Sequence, residues 1–144
     1  LRRQLLVVAQ QHHVNICFQQ KDSLTPCLAC IESVTPQVIC QSHEVSWNGH
    51  CYYLDGTGGQ CASGYSRATN AILTCIATKF SGKNYATTIS NNCCIWTADT
   101  YECYGLDSNC NSAGPFQSGP TLNGAGCLNL QNHNTKQLTF CGSN

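Results

Sequence analysis

The sequence has no methionine, few charges, no glycine before Gly49, no Asn-x-Ser/Thr sequon and no long hydrophobic run. Without methionine, Leu1 is not a translation start, so the chain is expected to have been processed, as removal of a secretory signal would leave it. The longest apolar run, Leu5-Leu6-Val7-Val8-Ala9, falls far short of the roughly 20 residues that a membrane-spanning helix needs, so no membrane span is expected. Seven Lys+Arg cancel seven Asp+Glu, and 10% of residues are charged. Nucleic-acid binding draws on a basic face that displaces counterions from phosphates. A neutral chain lacks that field, which argues against nucleic acid and against an anionic membrane surface. The partners expected are neutral: sugars, other neutral surfaces or other protein chains. The missing sequon leaves secretion without support from N-glycosylation.

What the sequence does have is cysteine, 13 in 144 residues. Such density marks a disulfide scaffold made in an oxidising compartment, hence a secreted, extracellular protein. The rival reading, structural zinc, needs clustered ligands. Cys27-Leu28-Ala29-Cys30 is the one C-x-x-C, and apart from the adjacent Cys93-Cys94 the others are scattered singly. Thirteen is odd, so at least one cysteine has no partner within its own chain. In a secreted protein that points to an interchain bridge or a free thiol. The interchain bridge is favoured because an exposed thiol is reactive.

Composition shifts near residue 40. Residues 1–40 are rich in Gln and aliphatics, whereas all 12 glycines and all six tyrosines lie at or after Gly49. The reading is α+β: a helical, cysteine-containing oligomerisation arm over 1–39, then a turn-rich domain over 40–144. In the arm Leu1, Leu5, Val8, His12 and Ile16 recur at helical spacing. This helix packs either on its own domain or on a neighbouring subunit, of the same or a homologous chain; the odd cysteine count favours the second, in which Cys17, Cys27 or Cys30 would supply the covalent link. In the domain, Asp55-Gly56-Thr57-Gly58-Gly59 reads as a loop. Ser66–Phe80 reads as a helix capped by Ser66. Strands are expected among Tyr85–Ser90, Cys94–Thr97 and Gln137–Cys141.

The stretch from Cys40 through Trp47, Gly49-His50-Cys51 and Tyr52-Tyr53, with ten residues between the cysteines, resembles the opening of a long-form C-type lectin-like domain. That resemblance covers about residues 40–144 and implies Cys40–Cys51 as a hairpin disulfide. Ala68, Ala71 and Cys75 match the family's helix, and Leu138-Thr139-Phe140-Cys141 its closing strand. The resemblance therefore implies a Cys75–Cys141 bridge. The family's W-I-G-L core has weak counterparts in Cys94-Ile95-Trp96 and Tyr104-Gly105-Leu106. Cys61, Cys93, Cys94, Cys103, Cys110 and Cys127 exceed the family's needs, and sequence does not choose among their pairings.

Sugar-binding members of that family hold calcium with a Glu-Pro-Asn or Gln-Pro-Asp motif and a downstream Trp-Asn-Asp. Here Gly119-Pro120-Thr121 and Asn132-His133-Asn134 stand in, and no Asp or Glu follows Asp107. Calcium takes six to eight oxygens and usually some carboxylate, so a family-type site lacks its usual acidic ligands, and the calcium that the resemblance allows would have to sit at another position. Glycan recognition then falls to amides, hydroxyls and aromatics: Trp96, Tyr104, Asn109, Asn111, Phe116, Pro120, Asn123, Asn132 and Asn134 form the candidate set. Asp99, Glu102 and Asp107 are read as solvated loop acids and not as a glycosidase pair, and the five histidines as structural or surface. No enzymatic activity is expected. The leading expectation is an oligomeric lectin-like protein binding glycans or glycoproteins; the alternative is a structural subunit of an extracellular matrix, coat or fibre.

Overall fold

In the computed structural model the described residues are 30–99, 104–108, 110–124 and 135–144. The helical stripe expected before residue 30 lies outside them. Residues 31–39 are described and form neither helix nor strand; Pro36 withholds a backbone donor, and Ser33 is tethered instead through its N–H to Asn48 Oδ1 at 2.6 Å.

The domain begins with a hairpin of β1 (Val45–Trp47) and β2 (His50–Asp55). Asn48 and Gly49 link them with φ of 48° and 77°. Two successive left-handed residues are what a two-residue turn needs to match strand twist, and Asn-Gly tolerates them best. The register sets Ser46 opposite Cys51, and Cys40 closes onto Cys51 as a disulfide.

β2 runs antiparallel to the closing strand β7 (Gln137–Ser143). The other edge of β7 is shared. Its first half pairs in parallel with β4 (Asn92–Trp96), and its second half pairs antiparallel with β3 (Tyr65–Arg67). Two short strands, β5 (Tyr104–Gly105) and β6 (Thr121–Leu122), extend the sheet beyond β4. One helix, α1 (Asn70–Ile76), is described, continuing into a 3-10 turn at Ala77–Phe80. Leu73, Ile76 and Phe80 from this unit, with Leu54, Ile95, Leu138 and Phe140 from the sheet, are fully buried and form the centre of the core. The Phe80 and Phe140 rings meet edge to face at 6.0 Å.

Two expectations about local structure are corrected. The helix does not start at Ser66, because residues 65–67 are drawn into β3 by pairing with β7. Its cap is Thr69, whose Oγ1 accepts the Ile72 N–H. Nor do residues 85–90 form a strand. The buried Asp55 carboxylate accepts the Thr87 and Thr88 N–H groups at 3.0 and 2.6 Å and the Thr87 hydroxyl at 2.8 Å, so a side chain takes donors that a ladder would have used.

Four disulfides are formed among the described residues: Cys30–Cys75, Cys40–Cys51, Cys61–Cys141 and Cys93–Cys110. Cys40–Cys51 is the pair the resemblance implies. Cys75–Cys141 is not formed, and strand alternation gives the reason. Successive side chains of a strand point to opposite faces; Phe140 faces Phe80 and the core, so Cys141 points away from the helix and meets Cys61. Cys75 reaches Cys30 instead, which removes Cys30 from the candidates for an interchain bridge. Cys17 and Cys27 lie outside the described residues.

Candidate functional site

Along β4, Ile95 is buried in the core and Trp96 is half-buried on the opposite face. Trp96 lies in register with Thr139 of β7. Thr139 Oγ1 in turn accepts the Gly59 N–H at 2.7 Å, which draws the 55–59 loop onto the indole. Gly59 adopts φ of 94°, and a Cβ there would stand 3.2–3.3 Å from three indole atoms. Glycine is required both for the backbone conformation and for this close approach. From β3, the Arg67 guanidinium carbon lies 4.9 Å from the centroid of the Trp96 ring. An exposed cation–π pair of this kind contributes roughly 0.5–1 kcal/mol. The side chain of Arg67 is exposed, so guanidinium donors remain accessible beside the indole. The Arg67 guanidinium lies over the ring and the Gly59 backbone lies against it, so what the arrangement offers a ligand is the part of the indole that these two leave open, together with the guanidinium donors.

The other candidates land differently. Tyr104 is 4% exposed and shares a short hydrogen bond between its hydroxyl and Thr74 Oγ1. Phe116 is 1% exposed and packs edge to face on Tyr85 at 4.8 Å. Both rings belong to the core and present no free face to a ligand, and Pro120 is likewise buried. These three are corrected from candidate ligand contacts to packing residues. Asn111 and Asn123 are exposed on the connection between β5 and β7. Asn123 has φ of 59°, the left-handed conformation of a turn residue. Asn109, Asn132 and Asn134 lie outside the described residues.

The fold also brings Asp107 to the Pro120 segment, where it accepts a hydrogen bond from Thr121 Oγ1 at 3.2 Å. The two residues are separated by 14 positions, which is why no local motif announced the pairing. One carboxylate does not make a calcium site. Among the described residues the one grouping of three potential metal ligands is Cys40, Glu44 and Cys51. Its two sulfurs are joined to each other, so no thiolate is there to bind a metal.

Beside that disulfide is a polar cluster that sequence reasoning missed. Glu44 is 4% exposed. Its Oε1 accepts the Tyr65 hydroxyl at 2.6 Å and its Oε2 the Gln41 N–H at 2.7 Å. The hydrogen bond to Glu44, with burial second, pushes the Tyr65 phenol up to about 12. Tyr65 also meets Tyr53 edge to face at 5.1 Å, and the Tyr53 hydroxyl accepts the Ala62 N–H at 2.8 Å. Burial raises the Tyr53 phenol as well. These bonds make the cluster a brace between the hairpin and β3. Arg67 and Gly59 were missed for a different reason: a lone arginine and one glycine in a turn-rich loop carry no local signature.

No protein-family model matches the chain, and neither a curated protein nor a solved structure matches it.

Proposed function

We propose that this chain is a secreted, disulfide-linked lectin-like protein that recognises glycans through Trp96 and its surroundings. The observation that carries the reading is the partly buried Trp96 indole with the Arg67 guanidinium over its ring, 4.9 Å from the centroid. Three further features support it. The Cys40–Cys51 hairpin is the most specific part of the likeness to C-type lectin-like domains. It pairs directly with the closing strand, the other end of that likeness. Four disulfides accord with an extracellular setting, and no described helix is long and apolar enough to cross a membrane.

In this reading the protein is not an enzyme, and recognition rests on stacking and neutral hydrogen bonds, with Asn111 and Asn123 as exposed amides. Single sugar sites bind weakly, so clustering through an interchain bridge at Cys17 or Cys27 would raise avidity without new contacts. A glycan array probed with and without EDTA tests the reading. Binding to a restricted set of neutral glycans, unchanged by EDTA, is the expected result; a folded protein that binds none of them contradicts it.

A second reading, a structural subunit of an extracellular assembly, is favoured by one observation. The strap between Cys30 and Cys40 exposes Ile31, Val34 and Ile39 at 59%, 87% and 101%, and its ends are pinned by two disulfides. A row of apolar side chains held open in this way fits burial against another chain. Non-reducing electrophoresis separates the readings: a ladder of large species favours the structural subunit, and a discrete small oligomer favours the lectin.

A further inference from the structure

The balance of charge over the whole chain hides a local imbalance. Segment 40–46 and the turn at 79–83 face each other across an open cleft of about 460 Å³. Lys79 and Lys83 line one wall; Gln41, Ser42 and Ser46 line the other. The Lys83 ammonium donates to the Ser42 carbonyl at 3.1 Å, and the Lys79 ammonium lies 4.9 Å from the Trp47 ring centroid. Among the described residues neither ammonium is paired with a carboxylate. Glu44 also lines the cleft, but it is buried and both its oxygens accept from neutral donors, the Gln41 N–H and the Tyr65 hydroxyl. The cleft thus carries two positive charges against one inward-turned negative charge.

We propose that this cleft binds a sulfate ester of a glycan chain, at a site separate from Trp96. A sulfate monoester carries a single negative charge and so matches a single excess positive charge. A phosphate monoester carries about −1.5 to −2 near neutral pH and would be opposed by Glu44. Lysine ammoniums act as mobile point charges on oxyanions, while the serine hydroxyls and the Gln41 amide suit the sugar hydroxyls beside the ester. The cleft is open, so a polymer can run through it without its ends having to be enclosed.

The test is binding of the full chain to immobilised heparin at low and at physiological ionic strength, with desulfated heparin and inorganic phosphate as comparisons. Binding is expected to weaken with salt, as interactions between exposed charges do, to disappear on desulfation, and to be displaced by methyl sulfate, a monoanionic sulfate ester, more readily than by inorganic phosphate. Lys79→Ala/Lys83→Ala should lower affinity at least roughly tenfold, about 1.4 kcal/mol, and Lys79→Arg/Lys83→Arg should restore most of it. Lys136→Ala removes an exposed lysine elsewhere and should leave binding unchanged. Equal losses in the Lys136→Ala and double variants, undiminished binding to desulfated heparin, or no heparin binding by the folded chain would each overturn the proposal.

Discussion

Tyr65 on β3 donates its phenolic hydrogen to the buried carboxylate of Glu44 across 2.6 Å, joining the opening hairpin to the strand that leads into the helix. This bond holds only while the phenol keeps its proton, and the phenol is held up to about 12 from an ordinary value of 10.0. A group whose folded value is raised contributes stability that is fully present below its unfolded value and is lost as pH rises through the folded one. The domain should therefore lose stability between about pH 10 and pH 12. Burial raises Tyr52 and Tyr85 too, which adds to the same alkaline loss. Tyr65→Phe should flatten this loss while lowering stability at neutral pH by roughly 1–3 kcal/mol, because a Glu44 oxygen is left buried without its donor. Denaturant unfolding at a series of pH values measures both effects, and tyrosinate absorbance in Glu44→Gln should show one phenol titrating lower than in the parent.

Asp55 should be as sensitive as a large core residue. Its carboxylate is 3% exposed and accepts three hydrogen bonds from Thr87 and Thr88. Asp55→Ala leaves two backbone donors without their partner, at roughly 1–3 kcal/mol for each buried group, so a loss of about 3 kcal/mol or more is expected. Thr87→Val removes a single side-chain donor and should cost about 1 kcal/mol. Equilibrium unfolding of both variants checks the ratio.

The disulfides should differ in weight according to the loops they close. Cys61–Cys141 spans a separation of 80 and Cys40–Cys51 one of 11. Chain-entropy reasoning assigns about 4.5 kcal/mol to the first and about 3 kcal/mol to the second. Paired Cys→Ala variants, compared by thermal unfolding, should show the larger loss for Cys61/Cys141. Peptide mapping without reduction should recover Cys30 joined to Cys75 and Cys61 joined to Cys141.

How far the sequence foretold this depends on range. The Cys40–Cys51 pair was implied by the resemblance, whereas the turn at Asn48-Gly49 and the two strands it joins went unread although their signal is local. Strands β4 and β7 were found near their observed bounds from their apolar, β-branched and aromatic residues. The course of 85–90 was not legible, since its backbone donors are taken by Asp55, some thirty residues earlier. The same holds for the disulfide partners of Cys75 and Cys141, which depend on which face of β7 each side chain leaves. At the candidate site, aromatic identity found Trp96 but could not separate it from Tyr104 and Phe116, because sequence does not show which rings the core consumes. Net charge likewise concealed Lys79 and Lys83, whose effect lies in their placement.

Gly59 gives the site a geometric handle. A methyl group there would meet the indole at 3.2–3.3 Å and would have to be carried at φ of 94°. Gly59→Ala should therefore shift the tryptophan emission and weaken glycan binding, with a loss in stability of about 1–3 kcal/mol from crowding. Fluorescence and unfolding of the same sample separate the local displacement from general loosening.

The central claim is that Trp96 is the stacking surface for a glycan. Its most direct test is an array of neutral glycans run in parallel on the parent chain and on Trp96→Ala, each first shown to be folded with its disulfides intact. The claim requires specific binding by the parent and loss of at least roughly 1–3 kcal/mol in the variant, the range that stacking of a flat ring on an aromatic side chain contributes in other systems. Undiminished binding by folded Trp96→Ala would contradict it.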